Sequence, residues 1–318
     1  MAKSFDVVVI GAGAAGMMCA AQAGRRGRSV LIVDHAAAPG EKIRISGGGR
    51  CNFTNIHASP KQFLSQNPHF CISALSRYTQ ADFVKLVEAH GIAYHEKTLG
   101  QLFCDGSARQ IIDMLVTEMR AGGVEMRLST SVGEVTKSAD GFSVKLSDGP
   151  VACGSLVIAS GGKSIPKMGA SGFGYDLARQ FGLGVVETRP GLVPLTFDAQ
   201  TLARLSPLAG VAVDAVVSCG KTSFAEAMLF THRGISGPAI LQISSYWREG
   251  DEIRIAMLPG ADVAALLRDA KRVNGKQAVQ TVLANHLPKR LAQAVADRAG
   301  LAGNLADLSD GQLSAGAA

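Results

Sequence analysis

Val7-Val8-Val9-Ile10, then Gly11-Ala12-Gly13-Ala14-Ala15-Gly16, then an alanine-rich stretch and Val30-Leu31-Ile32-Val33-Asp34 stand in that order at the start of the chain. The order predicts a strand, a glycine turn, a helix and a second strand ending on an acid. Each glycine has a separate task in such a unit. Gly11 makes the tight turn out of the strand, Gly13 lets backbone approach a pyrophosphate, and Gly16 lets the helix pack close to the sheet. The helix N-terminus, at Ala14 and Ala15, offers unpaired N–H groups and positive dipole to phosphates. Asp34, eighteen residues past Gly16, is placed to grip a ribose hydroxyl. The fold class that follows is α/β with a Rossmann-like dinucleotide site.

The remaining bulk properties narrow the setting. At 318 residues the chain has room for two or three domains. A net charge of +6 is mild, and the pairs Arg25-Arg26, Lys271-Arg272 and Lys289-Arg290 are scattered. They read as solvated surface, so no nucleic-acid partner is expected. The six cysteines (Cys19, Cys51, Cys71, Cys104, Cys153, Cys219) lie far apart with no CxxC. That excludes a zinc site or disulfide scaffold and fits free thiols in a reducing cytoplasm. The N-terminus lacks a basic region and a continuous apolar run, so it is not a signal peptide, and no membrane partner is expected.

Beyond Asp34 a loop is expected from Ala36 to Asn55, then two helices between Lys61 and His90. Ser107 and Gln110 form a capping-box pattern opening a helix that closes at Gly122-Gly123. A run of short strands follows: 124–128, 132–136, 142–146 and 156–159, with Asp148-Gly149 as a turn. This antiparallel meander, in place of a helical crossover, suits an FAD domain better than a simple NAD domain. Later, 211–218 and 228–230 read as strands, Pro238 opens a helix through Trp247, and residues from Ala261 are mostly helical. Texture changes place boundaries near residues 190 and 258.

A second chemical signal is Lys42-Ile43-Arg44-Ile45-Ser46-Gly47-Gly48-Gly49-Arg50-Cys51-Asn52. Consecutive glycines free backbone N–H groups to point at an anion or a ring oxygen. Arg50 offers a fork of donors for phosphate or carboxylate, and Asn52 a donor–acceptor pair for a flavin edge. Cys51 reads either as a redox thiol or as a packed structural cysteine. In Thr231-His232-Arg233-Gly234, His232 reads either as a general acid–base or as a residue satisfied by local backbone. No metal site is expected. A second glycine fingerprint is absent from the sequence, so NAD(P)H, where used, would dock transiently on the flavin.

The opening, the SGGGRCNFTN loop, ASGGKSIPKMGASGFGYDLARQFG and LFTHRGISGPAIL together resemble the bacterial BaiN/RdsA-type NAD(P)/FAD-dependent oxidoreductases. That family includes an aminoacetone oxidase and enzymes that reduce dehydro-bile acids. The resemblance implies an FAD-binding Rossmann-like domain at 1–190, an inserted β-barrel domain at 191–257 and a helical domain at 258–318. It implies FAD contacts from Gly11, Gly13, Ala14, Ala15, Gly16, Asp34, Lys42, Ser46, Gly49, Arg50, Cys51, Gly161 and Gly162, and from the Val132 backbone at the adenine. It implies a hydride passing between a small organic substrate and the flavin, with NAD(P)H as transient electron partner. The alternatives are an oxygen-dependent oxidase of a small amine such as aminoacetone, and an inactive fragment or binding module. A nucleic-acid-modifying flavoprotein is a third reading, which the scattered basic residues do not favour. Four positions depart from the family pattern: Asp34 for Glu, Glu41 for Arg, Ile165 for Tyr and Phe173 for an acid. A C-terminal segment returning to the FAD domain is expected in the family and is not seen before Ala318.

Overall fold

The computed structural model describes residues 3–316. It divides into two compact units, residues 1–187 and 188–318.

The first unit is built on β1 (Lys3–Ile10), which enters a turn and then α1 (Ala14–Arg25) and β2 (Val30–Val33). Both strands are rich in β-branched residues, as strands covered on two faces require. Their side chains alternate between two cores. Val9 and Ile32 join one with Met17, Ala20, Ile111 and Leu115, while Val8, Ile10, Leu31 and Val33 join another with Val135, Val144 and Leu177. The segment expected as a loop from Ala36 to Asn55 instead holds α2 (Glu41–Ile45), a 3-10 turn and β3 (Asn52–Asn55). Next come α3 (Ile72–Arg77), α4 (Gln80–Ala89), β4 (Tyr94–Glu96) and β5 (Gln101–Cys104). Strands β3, β5 and β4 form a small antiparallel sheet. Helix α5 (Arg109–Ala121) has Ala108 at its N-cap with no side-chain cap; just before it Gln110 Oε1 accepts from Ser107 N and Ser107 Oγ accepts from Arg109 N, so only the Gln110 half of the expected capping box forms.

The main sheet is completed by β6 (Glu125–Arg127), β7 (Val132–Ser138), β8 (Gly141–Leu146) and β9 (Gly149–Ile158). Its order is β6-β2-β1-β9-β8-β7. Strand β9 is ten residues long and belongs to two patterns at once. It closes the meander antiparallel to β8 and lies parallel to β1, pairing Val9 with Val157 and Ile10 with Ile158. That register delivers the segment after Ile158 to the side of the glycine turn. Helix α6 (Phe173–Gln180) ends this unit's regular structure.

The second unit contains β10 (Leu195–Thr196), α7 (Ala199–Leu205), β11 (Ala212–Cys219), β12 (Thr222–Thr231), β13 (Gly234–Ser236), α8 (Pro238–Ser244) and β14 (Ile253–Ala256). The strands expected as a barrel form a five-stranded antiparallel sheet, β10-β13-β12-β11-β14, with β10 and β14 at its ends. Helices α9 (Val263–Val273), α10 (Val279–Leu283), α11 (Lys289–Arg298) and α12 (Asp310–Gly316) follow. Val217 and Met228 of the sheet share one core with Leu267, Val282, Leu291, Leu305 and Leu313 of the helices. Among the described residues no helix is long and apolar enough to cross a membrane.

Candidate functional site

The site in the first unit is assembled where β1 and β9 end. Gly11 has φ +110° and donates its N–H to Val33 O at 2.8 Å. A Cβ there would lie 2.9 Å from Ser160 Cα and overlap the Ala159 carbonyl. A Cβ on Gly16 would overlap the Gly11 carbonyl oxygen and reach within 3.2 Å of Ala159 Cβ. These two glycines therefore exist for close approach. Gly13 is different: no heavy atom lies within 4 Å of the place its Cβ would take. That open side faces the first turn of α1, where Ala14 and Ala15 are exposed and no side chain caps the N-terminal N–H groups. Backbone donors, helix dipole and clear space together are the features that a pyrophosphate cradle requires.

Asp34 closes the other side of this turn. Its Oδ2 accepts from Ala12 N at 2.7 Å and its Oδ1 from Ala36 N at 2.9 Å, with His35 Nδ1 3.3 Å from Oδ1. The shorter acid is thus tied to the glycine turn by backbone bonds while 15 % of its side chain stays exposed. Beside it lies a cavity of about 300 Å³ whose walls include Gly11, Asp34, His35, Thr130, Val132 and Ser160. Its size and its hydroxyl-bearing rim suit a nucleoside. Val132, singled out for an adenine, stands in this wall. His35, Thr130, Ser131 and Gly169 were missed from sequence. Gly169 (φ +79°) passes so close to the His35 ring that a Cβ would lie 3.2 Å from its Cε1, a meeting with no local sequence signal.

The second half of the cradle joins Lys42 to the segment after β9. Lys42 Nζ donates to Ser164 Oγ at 3.0 Å and to Gly162 O at 3.5 Å. It would lie 3.6 Å from a Cβ on Gly161, whose φ is +76°. Gly47, Gly48 and Gly49 all have positive φ (58°, 66° and 85°), which explains three glycines in succession. Gly47 packs under Phe103, whereas Gly48 opens to clear space and Gly49 has only Arg44 O at 4.0 Å. The exposed Arg50 guanidinium has no ion-pair partner among the described residues, and Asn52 starts β3, also exposed. Glu41, where the family pattern carries Arg, pairs with Arg44 Nε at 3.4 Å, so its charge is balanced on its own helix.

Cys51 is 5 % exposed and has φ +53°, with its N–H donating to Ser46 O at 3.0 Å. Burial pushes its thiol pKa up, an effect only partly offset by the Ser46 hydroxyl, whose Oγ also donates to Ile43 O. This environment keeps the thiol protonated and works against a thiolate nucleophile. His232 belongs to the second unit, exposed on the β12–β13 turn. Thr231 Oγ1 closes that turn by accepting from Arg233 N and Gly234 N at 3.3 and 3.1 Å. The second unit also has a cavity of about 420 Å³ with Val193, Leu195, Phe197, Trp247 and Ile255 in its wall. Among the described residues no group of three or more His, Cys, Asp or Glu is placed to hold a metal.

The glycine turn, acid-tipped second strand and antiparallel meander define a dinucleotide-binding α/β flavoprotein, and the open faces of Gly13, Gly48 and Gly49 fit FAD as the dinucleotide. The chain belongs to the family described as HI0933-like protein Rossmann domain, which it matches over residues 5–285, and it is a flavin-dependent oxidoreductase. It is 54 % identical over 292 residues to the Ribosomal RNA dihydrouridine synthase of Escherichia coli, covering 92 % of this chain and 73 % of that one. It is 44 % identical over 299 residues to the protein of the same name in Haemophilus influenzae, covering 92 % and 74 %. A 28 % identity over 265 residues links it to the 3-dehydro-bile acid delta(4,6)-reductase of Clostridium scindens, covering 79 % and 64 %. Two of these names involve a nucleic acid, against the expectation drawn from the scattered basic pairs.

Proposed function

We propose that this chain is an FAD-dependent reductase that saturates the C5–C6 double bond of a uridine in ribosomal RNA. The observation that carries the reading is the 54 % identity, over 92 % of the chain, to the protein named as a ribosomal RNA dihydrouridine synthase. The more distant bile-acid relative supports the same reaction class, because its name describes reduction of a carbon–carbon double bond in a 3-keto steroid. In uracil and in a conjugated ketone alike, the carbonyl polarises the alkene so that its far carbon accepts a hydride. The net reaction consumes NAD(P)H and one proton and yields dihydrouridine and NAD(P)+.

When bound, FAD supplies the two-electron hydride chemistry that side chains lack. This chain's part is to hold and aim it. Gly11, Gly13 and the Ala14–Gly16 N–H groups take the pyrophosphate, Asp34 takes a ribose hydroxyl, and the Val132 wall takes the adenine. Lys42, Ser46, Gly49, Arg50, Cys51, Asn52, Gly161 and Gly162 frame the redox end. One group in this unit is a source for the proton that completes the reduction: Cys51, whose burial raises its thiol pKa and keeps it protonated.

The test is to incubate the FAD-loaded chain anaerobically with NADPH or NADH and ribosomal RNA transcribed without modifications, then digest the RNA and weigh its nucleosides. A uridine gaining two hydrogens, dependent on chain and on reduced nicotinamide, is expected. No change in the RNA, together with oxygen uptake when the same preparation is given aminoacetone in air, would replace this reading with the amine-oxidase one.

A further inference from the structure

Between Lys42 and Ala81 the chain has no aspartate or glutamate: forty residues carrying Lys42, Arg44, Arg50, Lys61 and Arg77, with His57 and His69. The stretch begins in the cradle and runs out through β3. Ile56 N donates to Gly100 O at 2.9 Å, and Gln80 Nε2 donates to Ile56 O at 3.0 Å, so its start and end are anchored to the body. Between these anchors, residues 61–70 are all exposed and α3 buries nothing. Yet this segment is not hydrophilic. Phe70 is 81 % exposed and Phe63 50 %, with Leu64, Ile72 and Tyr78 also open.

A folded chain gains about 25 cal/mol for each Å² of apolar surface removed from water, so clustered open aromatics call for a partner. Two cations stand among the aromatics with no acid in the segment's own sequence, while Asp82 and Glu118 lie near Tyr78 at its end; this mixture defines the partner's chemistry. Phosphates meet Lys61 and Arg77, and the flat faces of unstacked bases meet Phe63, Phe70 and Tyr78. We infer that the 56–78 segment is the docking surface for single-stranded or splayed-out RNA. The inference rests on the RNA reading above and assigns it a surface.

The experiment measures anisotropy of a short fluorescein-labelled uridine-rich RNA, with deproteinised ribosomal RNA as competitor, against the FAD-loaded full chain. Phe63→Ala with Phe70→Ala should weaken binding by roughly tenfold for each ring removed. Lys61→Ala with Arg77→Ala should lower the slope of log affinity against log salt by about 1.4, because each phosphate contact on a single strand contributes about 0.7. FAD content and melting temperature, unchanged in both variants, establish that each is folded; the charge variant serves where the aromatic one is not. Wild type binding RNA with both variants binding equally well would overturn this surface and leave the proposed reaction standing. Wild type failing to bind either RNA would overturn the RNA reading and this inference with it. Sedimentation showing a wild-type dimer that the aromatic variant loses, at unchanged RNA affinity, would assign the patch to self-association instead.

Discussion

Substituting Gly13 by alanine separates cofactor binding from folding more sharply than any other change in the cradle. Gly13 has φ −83° and ψ −174°, a conformation alanine adopts freely, and nothing lies within 4 Å of its missing Cβ. The gain from a stiffer unfolded chain, about 0.4–1 kcal/mol, is offset by alanine's poorer helix-capping. The cofactor-free protein should therefore keep its stability to within about 0.5 kcal/mol. Under the proposed binding mode the new methyl would fill the space of the pyrophosphate. Displacing one charge-assisted hydrogen bond, at about 1.5–3 kcal/mol, corresponds to a loss of roughly 10- to 150-fold in FAD affinity. Gly16→Ala is the contrast: its Cβ overlaps the Gly11 carbonyl oxygen, and such backbone crowding costs about 1–3 kcal/mol or more of stability. Quenching of FAD fluorescence on titration gives the affinity, and urea unfolding followed by circular dichroism gives the stability. Unchanged FAD affinity in Gly13→Ala would refute the claim that the phosphates lie against this turn.

Three further outcomes follow from the same geometry. Asp34→Asn, which keeps one acceptor oxygen where two now receive Ala12 N and Ala36 N, should weaken FAD binding by roughly tenfold and cost about 1 kcal/mol of stability, read by the same two titrations. Glu118 is buried between Arg25 and His90 Nε2, the latter at 2.8 Å; with Arg25 nearly half exposed, Glu118→Ala should destabilise by about 1–3 kcal/mol in urea while retained FAD absorbance stays constant. Burial, with Cys51 and Asp105 nearby, pushes the Cys104 thiol from the ordinary 9.0 up to about 11. Timed alkylation with mass spectrometry at pH 8 should label Cys104 and Cys51 after the partly exposed Cys19 and Cys71. The sign for stability follows: Cys104's preference for its proton contributes fully below pH 9.0 and is lost as pH rises toward about 11.

What the sequence discloses here depends on how local the cause is. The β1–turn–α1–β2 unit is legible because Gly11 and Gly16 are demanded by contacts within one turn, and Asp34 falls at a strand tip. The meander is legible through Phe142-Ser143-Val144-Lys145-Leu146, whose alternation survives in a half-buried sheet. Strand β3 is not, because Asn52-Phe53-Thr54-Asn55 lacks alternation and gains its pairing from Leu102 and Phe103, some fifty residues away. Helix α2 has only five residues, too few for a period, and starts from Gly40 at φ +72°. The start of β9 at Gly149 is hidden because Asp148-Gly149 reads as a turn. Lys42 meeting Ser164, and His35 meeting Gly169, are long-range contacts with no local trace. The acid-free stretch from Lys42 to Ala81 is written plainly in the sequence, but a search for adjacent basic pairs passes over it because its cations stand apart.

The most direct measurement is the visible spectrum of the anaerobic FAD-loaded chain through one cycle of reduction and reoxidation. NADPH or NADH is expected to bleach the bound flavin, and unmodified ribosomal RNA to restore its colour, with dihydrouridine appearing in step. A flavin that ignores reduced nicotinamide, bleaches with aminoacetone and recovers only on admitting oxygen would contradict that expectation.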